Sequence, residues 1–173
     1  MNAPVLAPHF CQVAWVVKDI VKAETFFTQI MGVKTFVHAD NLATTDNEGT
    51  YMGQPGDWGI RLSLAYAGET QIELIQPVSG HSIFADDLAR HGDAVQHVAY
   101  WLDESEYAAA AHHLEASGYP LIQGFKGRIG RVGYFDTRAA IGVVTEIVGS
   151  TQAGHEFRRT LKADNVEPAP GSQ

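Results

Sequence analysis

Apolar and polar positions alternate along this chain in a pattern that occurs twice. Gln12-Val13-Ala14-Trp15 and His97-Val98-Ala99-Tyr100 each set a polar residue before a Val-Ala-aromatic run. Each run then leads into an acidic turn, Lys18-Asp19 or Asp103-Glu104. A helical period follows both times: Ile20, Ala23, Phe27 and Ile30 before Gly32, and Tyr107, Ala111 and Leu114 before Gly118. Glycine just past the last periodic position suits a helix C-terminus. Gln12 lies 20 residues from Gly32 and His97 lies 21 from Gly118, so the register is nearly preserved.

Strand-like stretches follow each helix. In the first half they are Val33–Val37, Gly59–Ala67 and Thr70–Ile75, the last two joined by a hairpin turn at Ala67-Gly68-Glu69. In the second half they are Leu121–Gln123, Val132–Asp136 and Gly142–Val148. Between the halves, His81–Arg90 reads as a helix opened by Ser79 or Ser82 as N-cap. Asp40–Asp57, rich in Asp, Asn, Gly and Thr, reads as a long loop of the kind more often functional than idle. Ala153–Lys162 reads as a short terminal helix carrying Phe157 and Leu161, and the Pro- and Gly-rich tail Val166–Gln173 as disordered. The expected organisation is an N-terminal extension (1–8), a first module (9–77), a connecting helix (78–93), a second module (94–149), and a C-terminal helix with a flexible tail (150–173).

The 173 residues are 45% hydrophobic, enough for one domain with a real core and small enough to be built from two similar halves. No apolar run approaches the roughly 18–20 residues of a membrane span. The opening MNAPVLAPHF has neither the basic region nor the apolar stretch of a secretory leader, so the cytoplasm is the expected location. A net charge of −8 argues against nucleic acid as a partner. The single cysteine, Cys11, excludes an internal disulfide and a thiolate zinc cluster, so any metal must be held by histidine, carboxylates and amides.

Four polar residues fall among apolar neighbours at equivalent places of the two halves. Gln12 and His97 lie in the opening strands, and Glu73 and Glu146 in the closing ones. A polar residue on a solvated strand face is ordinary. Four at repeat-equivalent positions are far less easily a coincidence, and a pseudo-twofold axis relating the halves would let them converge. Ionised carboxylates in a β core are costly unless paired or bound to a cation.

These segments carry a resemblance to the vicinal oxygen chelate superfamily, which includes glyoxalase I, methylmalonyl-CoA epimerase, extradiol dioxygenases and antibiotic-binding resistance proteins. It spans roughly residues 9–149 and rests on Gln12-Val-Ala-Trp-Val-Val-Lys-Asp, Phe26-Phe27…Met31-Gly32-Val33, Ile72-Glu73-Leu74-Ile75-Gln76-Pro77, Gln96-His97-Val98-Ala99-Tyr100 and Gly142-Val-Val-Thr-Glu146-Ile147. The resemblance implies an α+β fold of two tandem β-α-β-β-β modules, forming a cupped mixed sheet around one divalent metal ion. The implied ligands are Gln12, Glu73, His97 and Glu146, a set suited to Zn, Co, Mn or Ni. Pairing of the modules within one chain or across a dimer is left open, and a homodimer is expected.

Extradiol dioxygenases use two histidines and a carboxylate for Fe(II). Gln12 stands at the first of those positions, which disfavours oxygen activation. Glyoxalase I places a glutathione-binding Arg four after the first ligand, an Asn four after the second and an Arg four before the third. Here those positions hold Val16, Pro77 and Asp93. The Glu-Leu-Ile-Gln-Pro run followed by a helix and Gln-His-Val-Ala is closer to the methylmalonyl-CoA epimerase branch. It departs there in Gln12, in Gln96 in place of a frequent second histidine, and in the long 40–57 loop.

The implied activity is that of a metal-dependent isomerase, epimerase or lyase acting on a small molecule. It would remove a proton next to a carbonyl through a metal-stabilised enolate or enediolate, with Glu146 and Glu73 as the catalytic carboxylates. The alternative is a non-enzymatic small-molecule binder of the bleomycin-resistance type. Lys126, Arg128 and Arg131, a basic cluster in an acidic chain, are candidates to bind an anionic substrate such as an acyl-CoA, or else form a solvated turn. Asp46 and Glu48 are candidate second acids in the long loop, where carboxylates are ordinarily just solvated. His38, His81, His91, His112, His113 and His155 read as surface residues in loops or on helices. Trp15, Trp58, Tyr100 and Trp101 read as core or cup lining. Cys11, next to Gln12, is expected on the opposite face of its strand.

Overall fold

The structure is a computed structural model that describes residues 4–44 and 48–165. Asp46 and the tail Val166–Gln173 lie outside the described residues. In chain order the elements are β1 (Phe10–Val16), α1 (Ile20–Gln29), β2 (Val37–Ala43), β3 (Thr50–Tyr51), β4 (Gln54–Pro55), β5 (Gly59–Ala67) and β6 (Thr70–Ser79). They continue as α2 (Ile83–His91), β7 (Ala94–Asp103), α3 (Tyr107–Ala116), β8 (Leu121–Gly127), β9 (Gly130–Phe135), α4 (Arg138–Ile141), β10 (Val144–Ser150) and α5 (Gln152–Asn165). The fold is α+β, as the sequence implied. Among the described residues no helix is long and apolar enough to cross a membrane.

The helices start where their capping residues stand. Asp19 accepts a hydrogen bond from the Lys22 amide at 3.0 Å to open α1, and Ser82 accepts from Ala85 at 3.1 Å to open α2, which settles the choice of N-cap. The chain leaves α1 and α3 through Gly32 (φ +76°) and Gly118 (φ +88°), a left-handed conformation that costs a side-chain-bearing residue energy.

All ten strands form one mixed sheet in the order β2-β5-β6-β1-β7-β10-β9-β8-β3-β4. In each half the first strand pairs in parallel with the last, β1 with β6 and β7 with β10. The halves join through the antiparallel pair β1·β7, so they meet within one chain. Chain length dictates a strong curl. Only seven Cα–Cα steps separate the end of β2 at Ala43 from β3 at Thr50, a reach of about 25 Å. Eight flat strand spacings at ~4.8 Å would separate the same strands by about 38 Å. The sheet must therefore bend its ends toward each other, and it forms a half-barrel.

The outer face is packed by α1, through Ile20, on Val17, Phe36, Ala65 and Leu74, and by α3 on Leu102, Phe135 and Ile147. The inner face carries the largest cluster, with Trp58, Phe84, Trp101, Ile122, Tyr134 and Val148. Helix α5 packs its Phe157 and Leu161 against Leu64 and Tyr66 of β5.

Two expectations need correction. The first is the strand read at Val33–Val37. Residues 33–36 form a connection outside the strand ladder whose Val33 and Phe36 are buried under the outer face, and the strand begins at Val37. Apolar spacing there reflects burial without a ladder. The second is the 40–57 loop, which is partly strand. Its start completes β2, with a register shift between Ala39 and Leu42, and β3 pairs across to β8 of the second half, Thr50 opposite Gly124.

Phe84 is 0% exposed, with T-shaped contacts to Trp58 (6.3 Å) and Tyr134 (5.3 Å). Phe84→Ala is expected to lower unfolding free energy by about 3–5 kcal/mol, read from urea midpoints at unchanged slope.

Candidate metal centre

The four polar residues singled out in the sequence come together. They stand on four neighbouring central strands in the order Glu73 (β6), Gln12 (β1), His97 (β7), Glu146 (β10). The register obeys the twofold relation: Ala14 pairs with Glu73 and with His97, while Ala99 pairs with Glu146 and with Gln12. Ala14 and Ala99 are fully buried, and their small side chains leave room for the four longer ones.

The contacts are short and entirely buried. Gln12 Nε2 donates to Glu73 Oε2 at 2.8 Å and lies 3.3 Å from both His97 Nε2 and Glu146 Oε2. His97 Nε2 is 2.9 Å from Glu73 Oε2 and 3.3 Å from Glu146 Oε2. None of the four is more than 6% exposed. Burial works against a charged His97, but the charges and hydrogen bonds of Glu146 and Glu73 outweigh it and raise its pKa to about 9. Burial also raises the Glu73 carboxyl, with the charge of Glu146 adding to it and the contacts to His97 and Gln12 opposing.

His97 is oriented from behind. Its Nδ1 lies 2.7 Å from Gln96 Oε1, Gln96 Nε2 donates to Asp87 Oδ2 at 2.9 Å, and Arg138 donates to the same oxygen at 2.7 Å. Arg138 also pairs with Asp136 at 3.1 Å. With Nδ1 held by Gln96, the ring turns Nε2 toward Glu73 and Glu146, where it pairs with them as an imidazolium and would offer its lone pair to a cation on losing that proton. The sequence held no signal for this chain, because Asp87 on α2 and Arg138 on α4 reach Gln96 only in the folded state. Tyr134 is a further residue missed. Its ring lies 5.2 Å from the His97 ring and its hydroxyl bonds Glu146, and burial raises its pKa well above the usual tyrosine range. Alternation along the β9 sequence would have placed it inward.

The centre opens into a cavity of about 320 Å³. Gln12, Glu73, Glu146 and Tyr134 line its polar end, and most of the remaining wall is apolar. Trp101 lines it as expected. Trp58 is buried against Phe84 and Phe125, while Trp15 packs on Phe27, and Tyr100 on Phe10. His38 sits on β2, not in a loop, and lines the rim 3.2 Å from Glu24. Of the basic cluster only Arg128 reaches the cavity. Lys126 and Arg131 line a separate surface hollow with His112 and Tyr107, and Arg131 lies 5.5 Å over the Tyr107 ring. Glu48 is exposed and lines that same hollow. Cys11 was expected on the face opposite Gln12. It belongs instead to the inner cluster, its Sγ 3.6 Å from Ala99 O, because a register shift between Phe10 and Gln12 breaks the strand's alternation. Burial raises its thiol pKa to about 11, which removes it as a nucleophile.

The donor set fits a divalent cation. One ligand atom each from Glu73, His97 and Glu146 lie within 4.8 Å of one another, and the Gln12 amide, turned about so that its oxygen replaces the Nε2 that faces Glu73, would bring the set to three oxygens and a nitrogen. Two carboxylates at this depth are otherwise offset by one imidazole and a few neutral donors. The centre suits Zn, Co, Mn or Ni.

Residues 11–135 match the Glyoxalase/Bleomycin resistance protein/Dioxygenase superfamily, and the chain belongs to it. Among solved structures it is similar to methylmalonyl-CoA epimerase from Mycobacterium tuberculosis, at 22% identity and a TM-score of 0.63, over 90% of this chain and 97% of that one. It is also similar to a hypothetical protein from Bacillus halodurans (19%, TM-score 0.59, 83% and 94%). A third is Streptomyces coelicolor methylmalonyl-CoA epimerase in complex with 2-nitronate-propionyl-CoA (18%, TM-score 0.56, 83% and 94%). No curated protein sequence matches.

Gln96→Leu removes the acceptor behind His97 and is expected to weaken zinc binding about 10–100-fold, measured by competition with a chromophoric chelator. A fold that melts as the parent does, with unchanged zinc affinity, would count against the orienting role.

Proposed function

We propose that the protein is a metal-dependent isomerase, epimerase or lyase that removes a proton next to a carbonyl, on an acyl-CoA or a related anionic substrate. The observation that carries this reading is the convergence of Glu73, His97 and Glu146 with Gln12 at the closed end of an apolar cavity. A divalent ion held by these four would act as a Lewis acid on negative charge developing at a substrate oxygen.

The chain's own groups supply the proton chemistry. Glu146, fixed by the Tyr134 hydroxyl, and Glu73, fixed by the Gln12 amide, lie on either side of the centre on strands three places apart. One carboxylate takes the proton from the substrate carbon. In an epimerisation the other returns one to the opposite face, so nothing is oxidised or reduced. A glutathione adduct is a poor fit, because Val16 is buried in the core and Asp93 is engaged with the Lys18 amide at 2.9 Å. Work in the cytoplasm is part of the reading, since a buried free thiol at Cys11 stays reduced there. A homodimer is part of it too, supported by Phe26, Ile30 and Met31 exposed together around the end of α1. The predominantly apolar wall favours one second reading, a drug-binding protein without catalysis.

Elemental analysis of protein purified without chelator is expected to give about one transition metal per chain, lost in Glu146→Ala. With the metal loaded, 2-substituted acyl-CoAs or 2-oxoaldehyde adducts are expected to exchange their α-proton with deuterated solvent. Glu73→Gln should slow that exchange about 10²–10⁴-fold. No uptake of Zn, Co, Mn or Ni would overturn the catalytic reading and leave the binder.

A further inference from the structure

The cavity's buried polar side chains stand at one end. Beyond Gln12, Glu73, Glu146 and Tyr134, its wall is built from side chains such as Leu42, Ile60, Leu62, Leu64, Trp101 and Phe157. The cation on its lining is Arg128, an exposed residue between β8 and β9, and His38 is exposed on the opposite rim strand. At about 30 Å³ per water, the 320 Å³ space corresponds to roughly ten non-hydrogen atoms. A methyl-sized substituent would leave most of it as water against hydrocarbon. A pantetheine-like arm would bring two amides into a wall with almost no partners for them, at a cost of about 1–3 kcal/mol for each group left unsatisfied.

We infer that the substrate's group next to the reacting carbon is bulky and apolar, aromatic or branched aliphatic, and fills this cavity, while any anionic remainder leaves past Arg128. The inference rests on the reading of the four-residue centre as the reacting site. It deepens that reading by naming what the site selects: the substituent fills the space between the carboxylates and Phe157, and the two oxygens beside the reacting carbon face the centre.

The test compares benzylmalonate with methylmalonate on zinc-loaded protein by calorimetry. Both present the same pair of carboxylates, and they differ only in the group beside them. Burying a Phe-sized group is expected to make benzylmalonate about 10–100-fold tighter. Leu62→Trp, which fills the cavity from a half-buried position, is expected to abolish that gain, with its zinc content and melting temperature reporting that the centre and fold are intact. Equal affinities for the two probes, or a gain that survives Leu62→Trp, would overturn the inference. Benzyl alcohol against ethanol, titrated into chelator-treated protein by the fluorescence of Trp101, repeats the comparison without metal, with Trp101→Phe as the control for the other tryptophans. A gain there in a protein that takes up no zinc would overturn the metalloenzyme reading alone and support the apolar cavity. No gain there in a protein that does bind zinc would overturn the cavity inference alone.

Discussion

Two carboxylates buried together at the centre of a β-sheet are the constraint around which the rest of this molecule is arranged. Removing an ion from water costs several kcal/mol even after relaxation, and two like charges side by side add to it. Against that cost stand one imidazole, one amide and one phenol hydroxyl, contributed by His97, Gln12 and Tyr134. Glu73 and Glu146 stand on strands three spacings apart, about 14 Å in a flat sheet. Their ligand atoms and that of His97 nevertheless lie within 4.8 Å of one another. Only a strongly curled sheet brings them together, and the short chain between β2 and β3 enforces the curl. The connection that bridges the sheet's two ends is thus part of what makes the centre possible.

The twofold relation of the halves explains the geometry but not the chemistry. Val13 pairs with Val98 at the middle of the β1·β7 ladder, and everything on either side is duplicated in position. The duplication breaks in the identity of the opening residue and in its support. His97 is backed by Gln96, Asp87 and Arg138, a chain of charge-assisted contacts that fixes the ring. Before Gln12, at the equivalent register shift, stands Cys11, whose thiol donates to the Ala99 carbonyl at 3.6 Å. One half therefore contributes an oriented imidazole and the other a neutral amide. A symmetric scaffold thus gathers one imidazole, one amide and two carboxylates.

The sequence made the centre legible and left its surroundings obscure, for physical reasons. Strand period two marks Gln12, Glu73, His97 and Glu146 as odd polar positions among apolar ones, and the repeat adds that they share one place in two copies. Caps and glycines marked α1, α2 and α3 because those signals are local. Where the structure departs from the sequence reading, a tertiary event intervenes. Val33 and Phe36 are apolar because they plug the outer core, so spacing mistook them for a strand. β3 is two residues long and exists because β8 is there to receive it. Lys126 and Arg131 are opposite one another across the β8·β9 hairpin while Arg128 is in the bend between, so a basic cluster in sequence divides between two surfaces. Asp87 and Gln96 are nine positions apart across a helix and a turn, and no period connects them.

The cavity wall is where the two halves cease to resemble each other, and this separates selection from chemistry. Helix α5 follows the second half yet packs on β5 of the first, with Phe157 facing the cavity. Its Arg158 donates to the Tyr66 hydroxyl at 2.8 Å and lies 5.5 Å over the Trp101 ring, joining strands from both halves. Lys162 pairs with Glu69 and Asn165 receives the Thr35 amide, so the helix is anchored along its length to the first half. That side of the cup is closed by the chain itself. The exposed rim residues, Arg128 and His38, stand on the β8–β9 bend and on β2, so on the proposed reading a ligand's path to the carboxylates runs along the apolar wall. Substitutions in α5, β2 and the β8–β9 bend can reshape that path without disturbing β6, β1, β7 and β10, which hold the four converging side chains.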